Sequence, residues 1–98
     1  MTNKENIMKK EIWKFDVPLC DFKLSMPKGA EILTFQTQRD IPRIWALIDW
    51  DVAGAAREIR EFTLQGTGMG FNFDKGNYVG TIQQQAGSFI WHLFEILK

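Results

Sequence analysis

The chain has 98 residues, enough to close one hydrophobic core and too few for two, so a second domain is excluded. It sets 12 Lys plus Arg against 12 Asp plus Glu, which removes the broad positive field that generic binding of long nucleic acid or an anionic membrane requires. Cys20 is the single cysteine, which rules out an internal disulfide and a cysteine zinc cluster.

Residues 1–8 show no apolar periodicity and end at a second methionine, Met8; they read as a flexible extension, with one β domain expected over 9–98. The start, MTNKENIMKKEIW, is polar and no segment has the length of a membrane span, so the protein is expected to stay inside the cell that makes it. EIWKFDV then alternates, Trp13, Phe15 and Val17 on one face and Lys14 and Asp16 on the other, which is the period of a half-buried strand. Pro18 ends it. Phe22, Leu24 and Met26 alternate next, and a turn at Pro27, Lys28 and Gly29 leads into AEILTFQTQ, so these two segments are expected to form a hairpin-like pair.

After a break at Arg39 and Asp40, IPRIWALIDW is apolar almost throughout. Trp45 and Leu47 fall on one side and Ile44, Ala46 and Ile48 on the other, which places the strand centrally in a sheet or at a subunit contact. The stretch 51–56 is small and Gly/Ala-rich, EIREFTLQ resumes strand character, and 66–77 reads as a Gly-rich loop. YVGTIQQQ and SFIWHLFEI, joined through Ala86 and Gly87, read as a hairpin. About seven strands in so short a chain cannot lie in one open sheet without exposing a wide apolar face. The expected architecture is all-β, a compact antiparallel β-sandwich or partly open barrel with little helix.

The chain offers little chemistry. Ser25 and Ser88 lie in no nucleophile motif, and a Cys20–His92 dyad would need a long-range coincidence, so no enzyme is expected. One histidine without cysteine partners makes no zinc site, and no metal or cofactor is expected. His92 shares a strand face with Ile90 and Phe94, where a core histidine held by a hydrogen bond is the ordinary reading and a ligand contact the alternative. Asp49 and Asp51, flanking Trp50, read as solvated strand-end acids.

GTGMGFNFDKGN is the best local segment for a ligand contact, because glycines at 66, 68 and 70 let backbone N–H groups approach an anion and Thr67 adds a hydroxyl. Phe71 stands where a dinucleotide fingerprint would need a third glycine, so a simple β-connection explains the segment equally well. Arg39, Arg43, Arg57 and Arg60 fall around the central strands, near Trp45, Trp50 and Phe71. A guanidinium grips phosphate with two hydrogen bonds, and the rings offer stacking faces. The alternative is a set of surface arginines paired with Asp40, Glu58 and Glu61.

EIWKF, MPKGAEIL, IWALID, the GTG at 66–68, YVGTIQ and WHLFE, in this order from about Lys9 to Glu95, resemble a family of short, uncharacterised bacteriophage and prophage proteins. The resemblance implies a phage-encoded accessory protein in the cytoplasm of an infected bacterium, of the anti-defence sponge type that sequesters cyclic nucleotide signals of systems such as CBASS or Thoeris. The first expectation is therefore a homo-oligomeric binder of a cyclic di- or oligonucleotide, with contacts from Gly66, Thr67, Gly68, Arg57, Arg60, Trp45 and His92. The second is a non-enzymatic protein-interaction module, an inhibitor of a host enzyme or a minor structural component, using exposed aromatics and an edge strand.

Overall fold

The computed structural model describes residues 10–49, 56–70 and 76–97. The expected extension at 1–8, Trp50, Asp51, Phe71 and most of the stretch 51–56 lie outside the described residues. Seven strands run in chain order: β1 (Lys10–Asp16), β2 (Phe22–Pro27), β3 (Glu31–Gln38), β4 (Ile41–Asp49), β5 (Arg57–Gly66), β6 (Gly76–Gln84) and β7 (Phe89–Ile96). They form two antiparallel sheets, β1-β4-β3 and β2-β5-β7-β6, in a sandwich-like arrangement that is not a closed barrel. Helix among the described residues is confined to one 3₁₀ turn, Gln85–Gly87.

Strict alternation builds the core. Ile44, Ala46 and Ile48 of β4 are buried between the sheets together with Phe35, Phe62, Leu64, Ile82 and Leu93, while Trp45 and Leu47 sit half-buried on the outer face of the same strand. The central position expected for β4 is thus observed, with β1 and β3 on its two sides. Phe22 stacks on Phe62, ring centroids 4.9 Å apart, and ties β2 to β5 across the pairing Phe22↔Phe62.

The expected pairing of the second and third strands does not occur: β2 pairs with β5, and β3 with β4. Turn geometry explains it. Ala30 N–H donates to Pro27 C=O across Lys28 and Gly29, and only Gly29 has positive φ, 80°, the pattern of a type II turn, whose twist splays the flanking strands. At the next reversal both Arg39 and Asp40 are left-handed, φ 52° and 66°, as in a type I′ turn, and β3 pairs directly with β4. The first turn therefore carries the chain from one sheet to the other.

Two features join the sheets. A Cβ on Gly80 of β6 would lie 3.3 Å from the Phe35 Cβ and 3.6 Å from its carbonyl oxygen, so β6 approaches β3 at a distance that only glycine permits without a shift. At one end, the Asp40 carboxylate accepts from the Gln85 N–H (3.1 and 3.3 Å), and the Gln84 side-chain amide donates to the Asp40 carbonyl (3.0 Å). The β3–β4 turn and the β6–β7 turn are clipped together there.

Candidate functional site

On the outer face of the four-stranded sheet, β6, β7 and the turn after β5 bring four polar side chains into one line. The Tyr78 hydroxyl lies 2.5 Å from Thr81 Oγ1, Thr81 Oγ1 lies 2.9 Å from His92 Nδ1, and His92 Nε2 lies 2.7 Å from Thr67 Oγ1. The register explains part of this meeting, since Thr81 and Gln65 flank His92 on neighbouring strands. A register shift between Tyr78 and Gly80 then turns Tyr78 toward the same face, where its ring packs on Phe94 at 5.4 Å.

A neutral imidazole donates from one nitrogen and accepts at the other, so the chain of hydrogen bonds runs in one of two directions. In one, Tyr78 donates to Thr81, Thr81 to His92, and His92 to Thr67, which leaves the Thr67 hydroxyl hydrogen for an outside acceptor. In the other, the order reverses and Tyr78 is left with the hydrogen. The array is a set of hydroxyl and imidazole donors and acceptors suited to hydroxyls, carbonyls and amides.

At the same end of the sheet, but on the side that Leu93 and Trp91 face, lies an open depression of about 340 Å³ lined by Gly66, Thr67, Met69, Ser88, Phe89 and Trp91. Phe89 offers an apolar ring face there, 48% exposed. The glycine segment contributes less backbone than its composition suggests, because the Thr67 N–H is bonded to Ile90 C=O and the Met69 N–H to Gly66 C=O. A positive φ of 86° at Gly68 makes this tight return possible.

A second polar cluster faces the opposite way. Arg60, from β5, forks onto Glu95 of β7, Nε to Oε2 at 2.6 Å and Nη2 to Oε1 at 2.8 Å, and its Nη1 donates to the Ala30 carbonyl at 2.5 Å. The side chains are 17% and 16% exposed. The Glu95 hydrogen bond raises the Arg60 pKa above its ordinary value, and burial opposes it. The pair lines a groove of about 320 Å³ with Ile32, Asn77 and Val79, and every guanidinium nitrogen has a protein acceptor.

Of the residues singled out in the sequence, Gly66, Thr67, Gly68 and His92 come together, and Arg57, Arg60 and Trp45 do not join them. Arg57 stands at the opposite end of the ten-residue β5, roughly 30 Å from Gly66, and donates to the Ser25 hydroxyl and carbonyl. Trp45 lies on the outer face of the other sheet. Arg39 occupies the β3–β4 turn and Arg43 pairs with Asp16, so the four arginines form no cluster. His92 is held by two hydroxyls on an outer face, not by a backbone group in the core.

Tyr78, Thr81, Phe89 and Glu95 were not visible as site residues. Thr81 had one signal: in a two-residue hairpin its strand position falls opposite His92. Among the described residues no three His, Cys, Asp or Glu side chains gather as metal ligands, and no helix is long and apolar enough to cross a membrane.

A family model described as a domain of unknown function, DUF7352, matches residues 8–97. No curated protein matches the chain, and no solved structure matches it.

Proposed function

The chain belongs to the DUF7352 family, a domain of unknown function, and we propose that it is a phage-encoded anti-defence protein that binds and sequesters a cyclic nucleotide signal without cleaving it. The phage setting rests on the sequence resemblance. The ligand site rests on one observation: Thr67 and His92, 25 residues apart, meet at 2.7 Å, on the face that also carries the exposed Tyr78.

In this reading the Thr67 hydroxyl and the His92–Thr81–Tyr78 chain bond ribose hydroxyls or base edges, and the Tyr78 ring, 59% exposed on the same face, offers a base a stacking surface. Stacking plus neutral hydrogen bonds holds a nucleoside well and a phosphate poorly. Arg60 leaves the expected ligand set, because each of its guanidinium nitrogens already has an acceptor within the subunit. Arg57 and Trp45 reach the same ligand only from another subunit, so the reading requires a homo-oligomer in the host cytoplasm.

The deciding experiment is thermal unfolding with a panel of cyclic di- and oligonucleotides. Ligand at about 100 times its Kd adds roughly 2.7 kcal/mol to the native state, which raises the midpoint of a domain this size by at least about 10 °C. Thr67→Trp is expected to remove that shift without changing the free protein's midpoint by more than a few degrees. Absence of a shift with every member of the panel overturns the proposal.

A second reading, a protein-interaction module, is favoured by a different observation. Ile59 and Tyr78, on the outer face of the four-stranded sheet, are 65% and 59% exposed, and such side chains serve as anchors in protein contacts. It predicts that Ile59→Glu abolishes function while Thr67→Trp does not.

A further inference from the structure

Each sheet has two outer strands, and three of these four edges are closed to pairing. β3 and β6 face each other across the Gly80–Phe35 approach, and both carry a register shift. β2 is short, ends in Pro27, and has its Ser25 carbonyl engaged by Arg57; prolines and irregularities of this kind block edge pairing. β1 differs. Its register with β4 is unbroken from Lys10 to Asp16, and among the described residues no other strand flanks it.

The direction of its free backbone groups follows from one bond. The Val17 N–H donates to Pro42 C=O at 3.0 Å, so along the regular strand the odd-numbered residues direct N–H and C=O toward β4. Lys10, Ile12, Lys14 and Asp16 direct theirs to the open side. When two such strands pair antiparallel about a two-fold axis, outward residues must meet outward residues, which leaves few registers. Centred on Ile12, Lys10 faces the partner's Lys14; centred on Lys14, two lysines face each other. Centred on Trp13, Lys10 faces the partner's Asp16 at both ends, and Ile12 faces the partner's Lys14.

We propose that β1 is a homodimer interface, pairing antiparallel with β1 of a second copy in the register centred on Trp13, so that two three-stranded sheets become one of six. Overlap and charge together select this register: it alone pairs all 7 residues of β1, and the registers centred one residue to either side oppose lysines across the pair. Ile12, 60% exposed, packs in it on the aliphatic stem of Lys14. Asp16 is 75% exposed beyond its contact with Arg43, which leaves its carboxylate open to Lys10. Trp13 lies at the axis, in the closely spaced position where aromatic pairs add to sheet stability. The inference is independent of the ligand proposed above.

Sedimentation velocity of the full chain at micromolar concentration is expected to show a dimer. Lys14→Pro is expected to give a monomer with unchanged far-UV circular dichroism, because proline on an edge removes no backbone bond within the subunit when its N–H faces solvent, and the one side-chain bond lost, Lys14 Nζ to Gln38 Oε1, is exposed. Lys10→Asp is expected to weaken the dimer about tenfold or more, and the double exchange Lys10→Asp with Asp16→Lys to restore it. A monomeric unaltered chain, a folded Lys14→Pro protein that still dimerises, or a double exchange without recovery overturns the proposal. Should Lys14→Pro fail to fold, the charge exchange decides alone.

Discussion

Strand β7 carries two polar residues three positions apart, His92 and Glu95, the first answered by Thr67 just past β5 and Thr81 of β6, the second by Arg60 of β5, and the two clusters face opposite sides of one sheet. The Glu95–Arg60 pair points toward the other sheet and is closed on itself. The His92 cluster points outward and ends in a hydroxyl that one tautomer leaves with a hydrogen to give. Facing, more than residue type, therefore separates the two clusters: an arginine expected to contact phosphate is engaged within the subunit, and a histidine ordinarily read as a core residue stands on an outer face.

The contrast fails first if Arg60 is dispensable. Arg60→Met leaves the Glu95 carboxylate half-enclosed without its partner and is expected to cost about 3 kcal/mol, read as a midpoint lowered by more than about 10 °C. Adding Glu95→Leu should recover most of that loss. Because a raised basic pKa gives stabilisation that is complete below the ordinary value and lost only as pH climbs through the raised one, Arg60 contributes no change in stability with pH in the neutral range.

Thr81→Val breaks the outward chain at its centre and is expected to cost about 1 kcal/mol or less in stability, measured by urea unfolding. Its larger effect should be on affinity for any nucleotide that shifts the wild-type midpoint. Arg57→Ala, at the far end of β5, is expected to change stability by no more than about 0.5 kcal/mol. A loss comparable to that of Arg60→Met would show that position along β5, not facing, governs these side chains.

Much of this was legible in the residues. The alternation of Ile44, Trp45, Ala46, Leu47 and Ile48 is a local signal, and it fixed β4 as a two-faced central strand. The fate of Arg60 was readable too: it shares parity with Phe62 and Leu64, so alternation alone turns it inward, and weight given to arginine chemistry hid that. The β6–β7 hairpin was legible from its short connection, but the other pairings were not, because the β2–β5 and β5–β7 contacts join distant segments and the sheet switch depends on a single left-handed residue at Gly29 against two at Arg39 and Asp40. The site was half legible. Thr67 and His92 stood out by type, whereas Tyr78 enters through a register shift that changes strand parity and leaves no trace in local composition.

The clip between the two turns also bears on the order of assembly. Each hairpin it joins is built from neighbouring residues, so β3–β4 and β6–β7 can form early at small entropic cost. Asp40 can meet Gln85 only after both turns exist and the sheets have come together. A contact made that late is absent from the folding transition state, so it slows escape from the native state while leaving the rate of arrival nearly untouched.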